Sequence, residues 1–194
     1  DGLLIQTNSD GSAPTTGTLS QAENNIGIGA NVFLALTSGS QNTVIGNYAA
    51  DAFTTAAQNT IYGYGAGSAI STQGSNTLIG VSAGASTTSY GNTAVGKSAL
   101  YSNTTTGYNT ALGDRAGYFN LSDKNIFIGH KAAYSNPGGT GDNNIVIGVQ
   151  SVGTSPSAGV GNVALGQGEH TSATGSNQLL ISSGAGAVNW IRGD

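Results

Sequence analysis

Apolar and polar positions along this chain recur in one short phrase. The phrase is Asn, then Thr or an aliphatic residue, then an apolar residue, then Ile, Val or Leu, then Gly. It is spelled Asn42-Thr43-Val44-Ile45-Gly46, Asn76-Thr77-Leu78-Ile79-Gly80 and Asn92-Thr93-Ala94-Val95-Gly96. It returns as Asn109-Thr110-Ala111-Leu112-Gly113, Asn125-Ile126-Phe127-Ile128-Gly129, Asn144-Ile145-Val146-Ile147-Gly148 and Asn162-Val163-Ala164-Leu165-Gly166. Asn59 opens a variant with Tyr62 in place of the aliphatic, and Asn25 and Asn177 open looser versions. The spacings from Asn25 to Asn177 are 17, 17, 17, 16, 17, 16, 19, 18 and 15. In-phase apolar residues exclude a disordered Gly/Ser tract, and the period is too short for a helix pair or a propeller blade. It suits one coil of a solenoid made of two short strands and two turns, each strand of about five residues bounded by Asn and Gly.

Other positions keep the same phase. Ala49, Ala66, Ala83, Ala99, Ala116 and Ala132 each lie seven residues after their Asn, where a small side chain lets a second strand pack over the first. Tyr101, Tyr118 and Tyr134 lie nine residues after theirs and read as a stacked aromatic column. Stacked coils place Asn42, Asn59, Asn76, Asn92, Asn109, Asn125, Asn144 and Asn162 one above another, as a structural ladder of side-chain amides. The fold expected is all-β: a parallel β-solenoid of about ten coils over residues 22–183. Residues 1–21 form a lead-in segment, and 184–194 exit towards a further C-terminal region.

Side chains alternate faces along a strand. The first and third residues after each Asn are assigned to the coil interior. The middle residues Val44, Ile61, Leu78, Ala94, Ala111, Phe127, Val146 and Ala164 then face the other way and are also apolar. A thin coil buries only one strand face, so these eight are assigned to a seam between identical chains, where an aspartate should block assembly.

Composition agrees with a covered surface. Charged residues are only 7% of the 194, against roughly 25% in ordinary domains, and glycine reaches 32. Net charge is −4, and Lys97, Arg115, Lys124, Lys131 and Arg192 are scattered along the chain, which argues against nucleic acid. No apolar run reaches the ~20 residues a membrane helix needs, so no membrane insertion is expected. With no cysteine, thiolate metal sites and disulfides are excluded.

The phrase Asn92-Thr93-Ala94-Val95-Gly96 and its siblings resembles the head repeats of trimeric autotransporter adhesins. With the longer period and the trailing Ser98-Ala99-Leu100, it is closer still to the repeat region of bacteriophage tail fibres that precedes an intramolecular chaperone domain. The segments Asn177–Ile181 and Trp190–Asp194 are similar to the exit into that region. The resemblance implies left-handed β-roll-like coils, a side-by-side homotrimer, and a virion tail-fibre or cell-surface location. It implies a structural shaft with other fibre or virion proteins as neighbours and a cell-surface polysaccharide as the receptor class. An adhesin head that binds host matrix or carbohydrate is the alternative.

No catalytic constellation emerges, and no enzyme, metal or cofactor is read. The nine acids occupy different phases, so no glycosidase pair can be argued. Asp114-Arg115 and Asp123-Lys124 read as solvated charge pairs in turns. His130 and His170 stand alone, and Glu169-His170 is the nearest approach to an acid–base pair. The tripeptide Arg192-Gly193-Asp194 matches a cell-adhesion motif too short to carry weight. A threonine column at Thr43, Thr60, Thr77, Thr93 and Thr110 would suit ice, but its phase is shared with Ile45 and Val95, assigned above to the interior. Receptor contact is expected on the longer turns at 134–143 and 151–161, beside Tyr134, Lys131 and Asn136.

Overall fold

The computed structural model describes residues 3–7, 22–134, 141–149, 159–167 and 176–183. It shows a parallel β-solenoid of about eight turns, with no helix among the described residues. The strands are β1 (Leu3–Thr7), β2 (Ile26–Ala30), β3 (Thr43–Ile45), β4 (Thr60–Tyr62), β5 (Thr77–Ile79) and β6 (Thr93–Val95). They continue as β7 (Thr110–Leu112), β8 (Ile126–Ile128), β9 (Ile145–Ile147), β10 (Val163–Gln167) and β11 (Leu179–Ser183). All pair in chain order in one 11-stranded parallel sheet. β1, from the segment expected to lead in, is already part of that sheet through Leu3↔Ile26.

Among the described residues each coil carries one strand, not two, and β3 to β9 are three residues long. Glycine ends them. Gly46, Gly80 and Gly113 take φ of 142°, 135° and 137°. A Cβ on Gly80 would lie 2.5 Å from the Gly96 carbonyl oxygen, and one on Gly113 would lie 2.5 Å from that of Gly129. Beyond the glycine the backbone alternates hand. Ser98, Leu100, Arg115, Lys131 and Ala133 sit at φ between 50° and 55°, which a second extended strand cannot contain. This back side is still tied between coils, as in Leu100 N–H to Ala116 O at 3.0 Å and Gly117 N–H to Ala132 O at 2.8 Å.

The ladder asparagines are buried. The Oδ1 of each accepts the backbone N–H of the next: Asn25 from Asn42 at 2.9 Å, Asn92 from Asn109 at 3.1 Å, Asn144 from Asn162 at 2.8 Å. In Asn42, Asn59, Asn76, Asn92 and Asn144 the Nδ2 reaches the end of its own coil, as from Asn42 to Ala56 O at 2.8 Å and from Asn92 to Thr106 O at 3.1 Å. One amide therefore closes a coil and spaces the next, which only a side chain with both an acceptor and a donor can do. At the last coil the expected anchor Asn177 is displaced by its neighbour. Val163 pairs with Leu179, so Gln178 N–H meets Asn162 Oδ1 at 2.8 Å. Asn177 takes the left-handed turn position, φ 59°, that Gln41 and Gln58 hold below it.

The core corrects the seam assignment. Val44, Ile61, Leu78, Ala94, Ala111, Phe127, Val146 and Ala164 are 0–3% exposed in a single chain. They line the coil interior and cannot form a seam. The alternation that puts the buried Asn inward puts the middle residue inward with it and turns the first and third outward. The alanine column, Ala49 to Ala132, is wholly buried opposite them. Volumes alternate across the gap. The space a Cβ would need at Gly67 is taken by Ile61 and Leu78, and at Gly117 by Phe127 and Leu100. Where the strand carries only Ala94, the back side supplies Leu100.

Asp51 stands in the phase of the later tyrosine column, with one carboxylate oxygen buried and unbonded. Burial raises its carboxyl pKa above the ordinary 3.8, outweighing the N–H groups of Asp51 and Ala52. The fold therefore favours the protonated form. Its stabilisation is complete below the unfolded value and is lost as pH rises through the folded one. Asp51→Asn should raise the melting temperature by a few degrees at neutral pH and by almost nothing near about pH 3. Calorimetry at both pH values checks this; an equal shift at both would reject it.

Candidate functional site

Three surface features could meet a partner. The first is the outward face of the sheet. The third strand position forms a column of Ile28, Ile45, Tyr62, Ile79, Val95, Leu112, Ile128, Ile147, Leu165 and Ile181, in which no side chain is buried. Tyr62 is 58% exposed and Leu112 49%. The first position runs beside it, Thr43, Thr60, Thr77, Thr93 and Thr110 continuing into Ile126, Ile145, Val163 and Leu179. Register holds throughout, Thr77↔Thr93↔Thr110 and Ile79↔Val95↔Leu112. The threonines therefore face outward, together with Ile45 and Val95, and not into the coil. Neither column contains a charge.

The second feature is aromatic. Tyr101 and Tyr118 stack at 4.9 Å with planes 7° apart, and Tyr134 follows at 5.3 Å. Phe119 packs edge-on against Tyr118 at 4.6 Å, and Lys131 Nζ stands 5.7 Å from the Tyr134 ring. Burial, then the neighbouring Tyr101 and Tyr134, raise the Tyr118 phenol above its usual pKa. Tyr118, with Tyr101 stacked on it and Tyr134 tilted against it, is taken up by its neighbours. Asn136 lies outside the described residues, as do most of both long turns, Glu169-His170 and Arg192–Asp194.

The third feature was hidden by sequence distance. Just past the glycine corner, Lys97, Asp114 and His130 stack in one column, and Ser98, Arg115 and Lys131 in the next. Arg115 N–H donates to Lys97 O, and Lys131 N–H to Asp114 O, each at 2.8 Å. Three of the chain's five Lys and Arg thus gather on three successive coils. Asp114 Oδ1 is 3.7 Å from both Arg115 Nη1 and His130 Nε2. Comparison with known proteins adds nothing to this geometry. No family model, curated protein or solved structure matches the chain.

Two further carboxylates hold turns. Asp123 Oδ1 accepts Gly107 N–H at 2.7 Å, and Asp142 Oδ1 accepts Asp123 N–H at 2.9 Å. Asp123 therefore caps a neighbouring coil where the sequence suggested a pair with Lys124. No metal-ligating cluster and no membrane-spanning helix occur among the described residues.

Proposed function

We propose that this chain is the repeat module of a homotrimeric extracellular fibre, a shaft of the tail-fibre kind, with three copies side by side on their outward sheet faces. The observation that carries the reading is the unbroken apolar column from Ile28 to Ile181, standing on a parallel sheet face with no charge on it. Eleven strands at about 4.8 Å make a face roughly 50 Å tall, and three residues make it about 10 Å wide. Each chain thus offers ~500 Å², and three together ~1,500 Å², the size of a standard specific interface. A long, exposed apolar sheet face is what isolated proteins avoid. The very low charge content suits a rod whose most apolar face is covered. The copy number of three rests on the repeat's resemblance to trimeric fibres. An adhesin head built the same way remains the alternative, and the domains flanking this module separate the two.

Sedimentation equilibrium tests the assembly. The parent should run as three chains, and Val95→Lys with Leu112→Lys as a folded monomer, because like charges then meet at the seam. A parent that stays monomeric at tens of micromolar rejects the reading. The outward threonines favour a second reading, an ice-binding face, and a monomeric parent that depresses freezing without lowering the melting point would select it. The assembled fibre is preferred because only five rungs carry threonine, while the neighbouring column is apolar at every rung and includes the protruding Tyr62.

A further inference from the structure

We infer that the corner formed by Lys97, Arg115, His130 and Lys131 is a binding site for an acidic polysaccharide. The cations supply half of the argument. Lys97 and His130 are exposed, and Arg115 keeps 38% of its side-chain surface. At 3.7 Å, Asp114 orients the guanidinium and imidazole without consuming their N–H groups, since a hydrogen bond needs about 3.2 Å or less. Three cations against one carboxylate make this corner positive on a chain whose net charge is −4.

The backbone supplies the other half. Among the described residues, the amides of Lys97, Asp114 and His130 donate no hydrogen bond within the chain, although the residues on either side of them do. Three N–H donors with no acceptor in the chain therefore stand in a column at coil spacing, about 4.8 Å apart, between the charged side chains. The chain itself shows what such an amide donates to. At the equivalent place in an earlier coil, Ala30 N–H is met at 2.9 Å by the side-chain oxygen of Asn47. A carboxylate or sulfate oxygen on a ligand would take that part at Asp114 and His130.

A straight column of donors with flanking cations fits a linear chain bearing anions at intervals better than a single small anion. Three cations are too few for a nucleic acid, whose phosphates need a longer basic track. Choosing a glycan rests on the reading of the rod as a surface fibre, whereas the binding itself does not. The site also moves the expected receptor contact. Lys131 stays in it, and its neighbours become Arg115 and His130 in place of Asn136.

Binding of the full chain to immobilised polygalacturonate and heparin, beside neutral dextran and single-stranded DNA, tests the site. The parent should bind one or both acidic glycans, release with salt, and ignore dextran. Lys97→Gln, Arg115→Gln and Lys131→Gln together should weaken binding at least tenfold, while Lys124→Gln, with its cation on another corner, should not. Asp114→Asn should strengthen it severalfold, a gain that misfolding cannot imitate. No binding at low salt, equal losses from Lys124→Gln and the triple variant, or DNA bound as tightly as the glycans would each overturn the inference. Sedimentation of the same samples keeps the two proposals apart. A monomer that binds removes the fibre and leaves the site, and a trimer that does not bind does the reverse.

Discussion

Gly113→Ala should leave this chain unable to fold cooperatively, although it adds one methyl group. The residue sits at φ 137°, which an L side chain rarely adopts, and the new Cβ would lie 2.5 Å from the Gly129 oxygen and 2.6 Å from its carbonyl carbon. That oxygen is backbone of the next coil, so a rotamer change cannot relieve the overlap. The coils are also held at hydrogen-bond distance along their length, so they cannot separate locally. The expected loss is several kcal/mol, comparable with the whole margin of a domain. Gly65→Ala is the matched control. It also has positive φ, 61°, but a Cβ there would meet only Ser82 Oγ at 3.9 Å. It should cost about 1 kcal/mol from backbone conformation alone. Thermal melting by circular dichroism reads both. Similar melting curves for the two variants would mean that the register of the glycine column is wrong.

The second large effect separates two adjacent residues. Ala94→Asp should unfold the chain, whereas Val95→Lys should leave it folded and unassembled. Ala94 is fully buried inside its own coil, and an unpaired carboxylate there costs several kcal/mol. Ala111→Asp should behave alike. Val95 points outward in the apolar column, where water solvates a lysine in the free chain. Urea unfolding at low protein concentration measures folding apart from assembly. An Ala94→Asp variant that unfolds with the parent's midpoint yet fails to assemble would restore the middle position to the seam.

That reversal shows which parts of the fold were legible. The period and the stacking order are properties of spacing alone, so the asparagine and alanine columns can be read directly from residue numbers. Which strand face is inside is a question of parity, and the polarity of Asn misleads it. Read as a strand end, Asn42 gives no parity. Read as an amide bonded to Asn59 N–H above and Ala56 O at its own coil's end, it must be buried, and Val44 two residues later is buried with it. The missing second strand was illegible for another reason. Ser98, Leu100, Arg115 and Lys131 are not residues that announce a left-handed backbone. They adopt it because hydrogen bonds between coils impose it. Gln178 was missed because a shift of one residue beside a second amide residue leaves the motif unchanged to the eye. The basic corner was missed because Lys97, Arg115 and Lys131 lie 18 and 16 residues apart, and only the winding brings them together.

The bonding of the asparagines also gives the stack a direction. The oxygen always belongs to the earlier coil and the backbone N–H to the later one, from Asn25 and Asn42 through Asn162 and Gln178. A finished coil thus holds an acceptor in place for a segment that has yet to wind, and the same amide's donor has already locked the finished coil shut. Growth from the N-terminal side is templated at every step, as each new coil contacts only the one before it. Winding from the other side would have to order each amide before its own coil had closed. The side-chain amides thus give the rod a polarity that its backbone bonds, which run both ways between coils, do not.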